Sequence, residues 1–222
     1  HRDDIPEGAS VDGYKLLFTP FIQYLSSDYI ARAKQFVENG GIWIAGPLTG
    51  GRTENHTVHT DRALGELEEL AGVEVLYTYP MDGTGTIGRA FDISAPIGLW
   101  SSVFEADSNS TIGIIEEGLS KGKAFITEHK LGAGKIVMLG SLPVGDAGDL
   151  LLQKLVDHYA QEAGLTMRTD VSKGTIVAPR QGDDYTVWFM INMDGNGGSV
   201  TIPQTGIDLK TNREVEPGKL EL

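Results

Sequence analysis

The most site-like stretch of this 222-residue chain runs Gly46-Pro47-Leu48-Thr49-Gly50-Gly51-Arg52-Thr53-Glu54-Asn55-His56. It is rich in groups that hydrogen-bond, and it follows a run that reads as a parallel strand, where open α/β sheets bind ligands. Arg52, Glu54, Asn55 and His56 are its candidate ligand-contacting residues. A dinucleotide site would need G-x-G-x-x-G running directly into a helix, and a phosphate loop would need Gly-Lys-Ser/Thr; neither spacing is present. His56 and His59 lie three apart and could share a helical face, with Glu54 nearby, but the set does not make a zinc-type ligand pattern, so no metal is expected. His129 and His158 fall in regular elements and read as packing residues. Cysteine is absent, which removes thiolate chemistry and disulfides.

Two kinds of hydrolytic chemistry can be tested by spacing. A nucleophile elbow requires Gly-x-Ser-x-Gly between strand and helix. Gly140-Ser141-Leu142-Pro143-Val144-Gly145 is the nearest sequence; its spacing is wrong and Pro143 spoils the tight turn. Glycoside hydrolysis requires two carboxylates converging from separate elements. Glu66, Glu68, Glu69, Glu116 and Glu117 are neighbours along single elements and read as solvated faces.

The elements that position these residues begin with a strand-helix-strand unit. Tyr14–Phe18 is a short apolar run stopped by Pro20, and Ser27 offers an N-cap with Asp28 in the first turn. Ile30, Ala33 and Val37 recur at helical spacing, Gly40 can close the helix, and Ile42–Ala45 is a second apolar run. Apolar runs without polar alternation imply strands buried on both faces, hence a parallel sheet with a right-handed crossover. A short helix carrying Leu64, Leu67 and Leu70 stops at Gly72. Short β-type runs follow at Val73–Tyr79, Gly98–Glu105, Thr111–Ile115 and Lys123–His129. A third buried run, Ile136–Leu139, precedes a helix from near Asp149 to Gly164. The expectation is an α/β domain over 1–167: a parallel-sheet, flavodoxin-like or amidotransferase-like three-layer domain with a β insertion. A small antiparallel β domain over 168–222 follows, with strands at Thr175–Pro179 and Tyr185–Met193. There Asp194-Gly195-Asn196-Gly197 reads as a turn joining antiparallel neighbours. The chain ends at Glu221-Leu222 inside a strand pattern.

Eighteen Lys and Arg against 31 Asp and Glu give a formal net charge of −13. Nucleic acid and anionic membranes both call for basic surface, so neither is an expected partner. No run reaches the roughly 18 apolar residues of a membrane span, and His1-Arg2-Asp3-Asp4-Ile5-Pro6 has no apolar leader region. The lack of an initiator Met implies a start inside a longer gene product. The missing cysteines fit a cytoplasmic protein without deciding the compartment.

The order of several segments resembles the middle domain of glycoside hydrolase family 42 β-galactosidases. Asp12-Gly13-Tyr14-Lys15-Leu16-Leu17-Phe18-Thr19-Pro20 is similar to its "Tyr-Lys-Leu … Pro" strand. Val37-Glu38-Asn39-Gly40-Gly41 resembles the end of the helix that follows, and Thr49–Asn55 its polar loop. Leu64-Gly65-Glu66-Leu67 with Ala71-Gly72-Val73, then Gly132-Ala133-Gly134-Lys135 to Gly140, resemble the next helix and strand. Tyr185–Asn192 and Ile207-Asp208-Leu209-Lys210-Thr211 resemble its small carboxyl-terminal β domain. The resemblance implies a non-catalytic piece that holds a homotrimer together, with a (β/α)₈ catalytic barrel outside it. A barrel needs about 250 residues. In the family the acid/base Glu follows Asn, and no Asn-Glu dipeptide occurs here. Neither catalytic residue nor cofactor is therefore expected in this chain. Its partners would be itself and that barrel. The loop from Thr49 to His59 would border a neighbour's substrate pocket. Two alternatives carry different expectations. An amidotransferase-like enzyme would need the missing cysteine, and a carbohydrate-binding module would need exposed aromatic platforms, whereas Trp43, Trp100 and Trp188 fall in strand patterns.

Overall fold

The computed structural model describes residues 11, 13–81, 85–166 and 168–222. The leader argument at His1–Pro6 and the Asp12 of the resemblance lie outside the described residues. The chain divides into two compact units, His1–Thr166 and Met167–Leu222.

The first unit opens with β1 (Leu16–Thr19), α1 (Ser27–Glu38) and β2 (Ile42–Ala45). The cap of α1 is Ser26, one residue before the Ser27 expected, and its hydroxyl accepts the Tyr29 N–H at 3.2 Å. Tyr29, Ala33, Phe36 and Val37 are its buried stripe. Asn39 caps the other end, and Gly40 follows at φ 105°. α2 (Glu66–Ala71) stops at Gly72 in the left-handed conformation. β8 (Gly134–Leu139) and the long α3 (Gly145–Glu162) complete this part. β1, β2 and β8 are parallel, with Leu17 opposite Trp43 and Trp43 opposite Ile136. Every residue of β2 is buried. Trp43, Ala45, Ile136 and Met138 cluster with residues of α1 and α2. Ile42, Ile44, Val137 and Leu139 cluster with Leu151, Leu155 and Tyr159 of α3. Two-sided burial explains the unbroken apolar runs of β2 and β8. It does not hold for the Tyr14–Phe18 run: β1 is the edge strand of the sheet, with Tyr14 and Phe18 exposed.

The sheet as a whole corrects the expected fold class. It is not the parallel sheet of a flavodoxin-like or amidotransferase-like domain. Six more strands join it: β3 (Glu74–Met81), β4 (Ile87–Ala90), β5 (Ile93–Glu105), β6 (Thr111–Glu117), β7 (Ala124–Leu131) and β9 (Ser141–Pro143). The order is β1-β2-β8-β7-β6-β4-β5-β3, with β9 on β5. Among the described residues, two of its strand pairings are parallel and seven antiparallel. β5 also meets β7 at Phe104–Ala124, which closes β7, β6, β4 and β5 into a small barrel. A side chain at Gly88 or Gly113 would lie 2.8 or 2.9 Å from the Phe125 ring, which is fully buried beside Ile97 and Ile115.

The physical reason is the short connections. A two-residue turn at Gly132-Ala133, with Gly132 at φ 61°, returns β7 directly into β8. The second edge of β8 is therefore antiparallel, although the first is parallel. β4 and β5 are joined by Phe91 and Asp92, both at positive φ, the handedness that matches strand twist in tight hairpins. The strands expected as a separate insertion thus extend the same sheet.

The second unit holds β10 (Thr175–Gln181), β11 (Thr186–Asn192), β12 (Ser199–Ile202), β13 (Gly206–Asp208), β14 (Arg213–Val215) and β15 (Gly218–Glu221). They pair antiparallel as β10-β11, β12-β15 and β13-β14. The turn at 194–197 does not join ladder partners, because β11 pairs backward with β10 and β12 forward with β15.

Candidate functional site

The loop after β2 is built on a close approach of two backbones. Gly46 sits at φ 103°, and a Cβ there would meet the Leu139 carbonyl oxygen of β8 at 2.0 Å. The loop then runs alongside the segment leaving β1. The Phe21 N–H donates to the Pro47 carbonyl at 2.9 Å, the Gly50 N–H to the Ile22 carbonyl at 3.0 Å, and the Arg52 N–H to the Gln23 carbonyl at 2.8 Å. The buried Thr49 hydroxyl donates to the Thr19 carbonyl, and Trp43 Nε1 donates to the Thr19 hydroxyl at 2.9 Å. A His59 ring nitrogen lies 3.0 Å from the Gly50 carbonyl, which makes it the protonated nitrogen.

Beyond this tied base the chain makes one outward turn. The His56 N–H donates to the Thr53 carbonyl and the Thr53 N–H to the Thr57 carbonyl, both at 2.9 Å; the two threonine hydroxyls are 2.7 Å apart. Glu54 and Asn55 occupy the exposed middle of that turn, with His56 exposed after them at φ 59°. Arg52 is half-buried at its foot and donates from Nη1 to the Gly51 carbonyl at 3.1 Å. The four candidate residues are thus neighbours on one projecting turn. They offer hydrogen-bonding groups to whatever faces it.

Other sequence candidates resolve into structure. Ser141 is fully buried in β9, and its hydroxyl lies 2.7 Å from that of Ser101. Among the described residues no histidine or carboxylate hydrogen-bonds to it, so it has no base. Glu116 accepts from Arg89 at 3.4 Å and from Ser94 at 2.8 Å at the surface. Glu68 is not solvated: it is 3% exposed and accepts the backbone N–H groups of Leu64 at 2.8 Å and Val75 at 3.1 Å. It ties the entry of α2 to the start of β3. The signal was present, since Leu64, Leu67, Glu68 and Ala71 fall on one helical face. Trp43 is fully buried, while Trp100 and Trp188 are half-buried, the latter beneath the Arg168 guanidinium at 5.4 Å.

One polar network escaped sequence reading. At the amino end of β8, Lys135 Nζ binds Glu128 at 2.8 Å and Glu162 at 2.6 Å, and the buried Tyr159 hydroxyl donates to Glu128 at 2.9 Å. Burial, then the Glu128 charge and hydrogen bond, then the Glu162 charge, hold the Tyr159 hydroxyl far above the usual range. Burial alone would lower Lys135, but its bonds to Glu128 and Glu162 outweigh this and hold it above an ordinary lysine. Both shifts oppose service as a nucleophile or base near neutrality. The network ties α3 to the β7-β8 hairpin.

The sequence model of the β-galactosidase trimerisation domain matches residues 1–166. This chain belongs to that family. The β-galactosidase YesZ of Bacillus licheniformis is 59% identical over 215 residues, covering 97% of this chain and 32% of the relative. YesZ of Bacillus subtilis is 58% identical over 220 residues, covering 99% and 33%. The trimerisation-domain chain therefore spans about a third of the length of these curated relatives. The β-galactosidase from Bacillus circulans sp. alkalophilus superimposes with a TM-score of 0.77 at 21% identity, over 97% of this chain and 32% of that one. The β-galactosidase of Halorubrum lacusprofundi gives 0.70 at 19% identity over the same shares. At those identities the likeness is one of fold. The assignment supports neither the amidotransferase-like nor the carbohydrate-binding alternative.

Proposed function

We propose that this trimerisation-domain chain serves assembly in a β-galactosidase that hydrolyses terminal β-D-galactosides, and that it contributes no catalytic group. One observation carries the reading: the stretch matched by the trimerisation model coincides with the first compact unit. Three copies of the first unit would hold the enzyme together, and the catalytic region would lie in the two-thirds of the relatives' length that this chain does not span. The turn bearing Arg52, Glu54, Asn55 and His56 would stand near a subunit boundary and border a neighbour's substrate pocket. Its tied base supports this, because a fixed base can present polar groups in one place at little entropic cost.

The purified chain, given a chromogenic β-galactoside, should show no turnover. Turnover that persists across two independent preparations overturns the non-catalytic reading. Calorimetric titration of a galactoside into the chain should show no heat of binding; saturable binding would instead favour a carbohydrate-binding role.

A further inference from the structure

Asn-Gly occurs twice in the chain, at Asn39-Gly40 and Asn196-Gly197. This dipeptide is chemically labile because glycine lacks a side chain to shield its backbone nitrogen. That nitrogen can attack the asparagine side-chain carbonyl. Both asparagines are exposed, so exposure does not separate them. Their backbones do. The Asn39 N–H donates to the Gln35 carbonyl at 3.0 Å, and the Gly40 N–H donates to the Val37 carbonyl at 2.9 Å, both as part of the helix cap. The Gly40 nitrogen must break that bond and unwind the cap before it can react. Asn196 lies in the turn between β11 and β12, and the Gly197 N–H has no acceptor among the described residues. Gly197 at φ 76° is also outside any strand ladder.

We infer that Asn196 is a site of spontaneous deamidation and isoaspartate formation, and that Asn39 is protected. The Gly197 nitrogen loses its proton to solvent base and forms a bond to Asn196 Cγ. The side-chain nitrogen leaves as ammonia, which gives a five-membered succinimide. Water then opens the ring at either carbonyl, leaving aspartate or isoaspartate. Water is the only co-reactant, and no oxidant or metal is needed.

The consequences are local to the second unit. The Asn192 amide donates to Asp194 at 3.1 Å and to the Gly197 carbonyl at 2.9 Å, and the Asn196 N–H donates to Asp194 at 3.0 Å. A new carboxylate at 196 faces the Asp194 carboxylate, and isoaspartate adds a methylene to the backbone of the turn. Gly198 follows this turn, and its carbonyl accepts the Leu222 N–H at 2.8 Å beside the β12-β15 pair.

The whole chain should be aged at 37 °C in mildly alkaline buffer and sampled by peptide mass mapping. Isoaspartate is read by its methylation with an S-adenosylmethionine-dependent isoaspartyl methyltransferase. Asn196 should convert at least about fivefold faster than Asn39, the factor for one net hydrogen bond, and N196Q should lower the methyl-accepting signal to the slower contribution of the Asp-Gly dipeptides that begin at 12, 82 and 194. Equal rates, faster conversion at Asn39, or an Asn196 that stays intact while a free peptide of the same sequence converts would each overturn the inference.

Discussion

Removing the buried Glu68 carboxylate should cost the first unit more than removing a solvated surface charge. Glu68→Ala strips the partner from two backbone N–H groups, those of Leu64 and Val75. A buried donor left without an acceptor costs about 1–3 kcal/mol. Leu64 is buried, whereas Val75 is half-buried and can partly recover a water, so the pair should cost about 2–4 kcal/mol. Glu68→Gln keeps one acceptor oxygen but brings an amide donor toward the second N–H, and should cost about half as much. With a urea m-value of about 2 kcal/mol/M, the alanine variant should lower the unfolding midpoint by about 1–2 M. The assay is urea unfolding of the chain, followed by far-ultraviolet circular dichroism and tryptophan fluorescence. A midpoint within about 0.2 M of the parent would show that Glu68 does not tie α2 to β3, and the reasoning would fail.

Other outcomes follow from the same geometry. Tyr159→Phe removes the hydroxyl that donates to Glu128 and should cost about 1–2 kcal/mol in the same urea assay. Lys135 and Tyr159 both hold raised pKa values in the folded chain, so their contribution is complete below the unfolded values near pH 10 and is lost as pH rises. Stability should therefore fall above about pH 10, and Lys135→Met should flatten that alkaline limb. In the full enzyme, Arg52→Ala with Glu54→Ala should raise KM and leave kcat nearly intact, the signature of lost uniform binding. A collapse of kcat with unchanged KM and intact trimers would place that turn in catalysis.

Local sequence signals carried the crossover of β1, α1 and β2, the buried run of β8 and the helix that follows it, because each depends on the pattern within one element. They could not carry edge pairing. Ile136–Leu139 reads the same whether its neighbours run parallel or antiparallel, since burial on both faces leaves no trace of strand direction. β4 escaped because Ile87-Gly88-Arg89-Ala90 is short and lacks an apolar alternation; β9 escaped because three residues with a proline resemble a loop. At the candidate site, the polarity of 49–56 was visible, but the bonds that tie its base to 19–23 connect segments some 30 residues apart. Glu68 was hidden by its charge, although its spacing from Leu64 and Ala71 placed it on the apolar face. The order of weak motifs pointed to the family where no single motif did, because each marks a different element of one fold.

The central claim is that this chain is an assembly unit, and its mass in solution tests that most directly. Light scattering on the purified chain, over a rising concentration series, should converge on a particle of three chain masses. A particle that stays at one chain mass through the highest concentration, or settles at two, would contradict the claim that these residues suffice to hold the trimer.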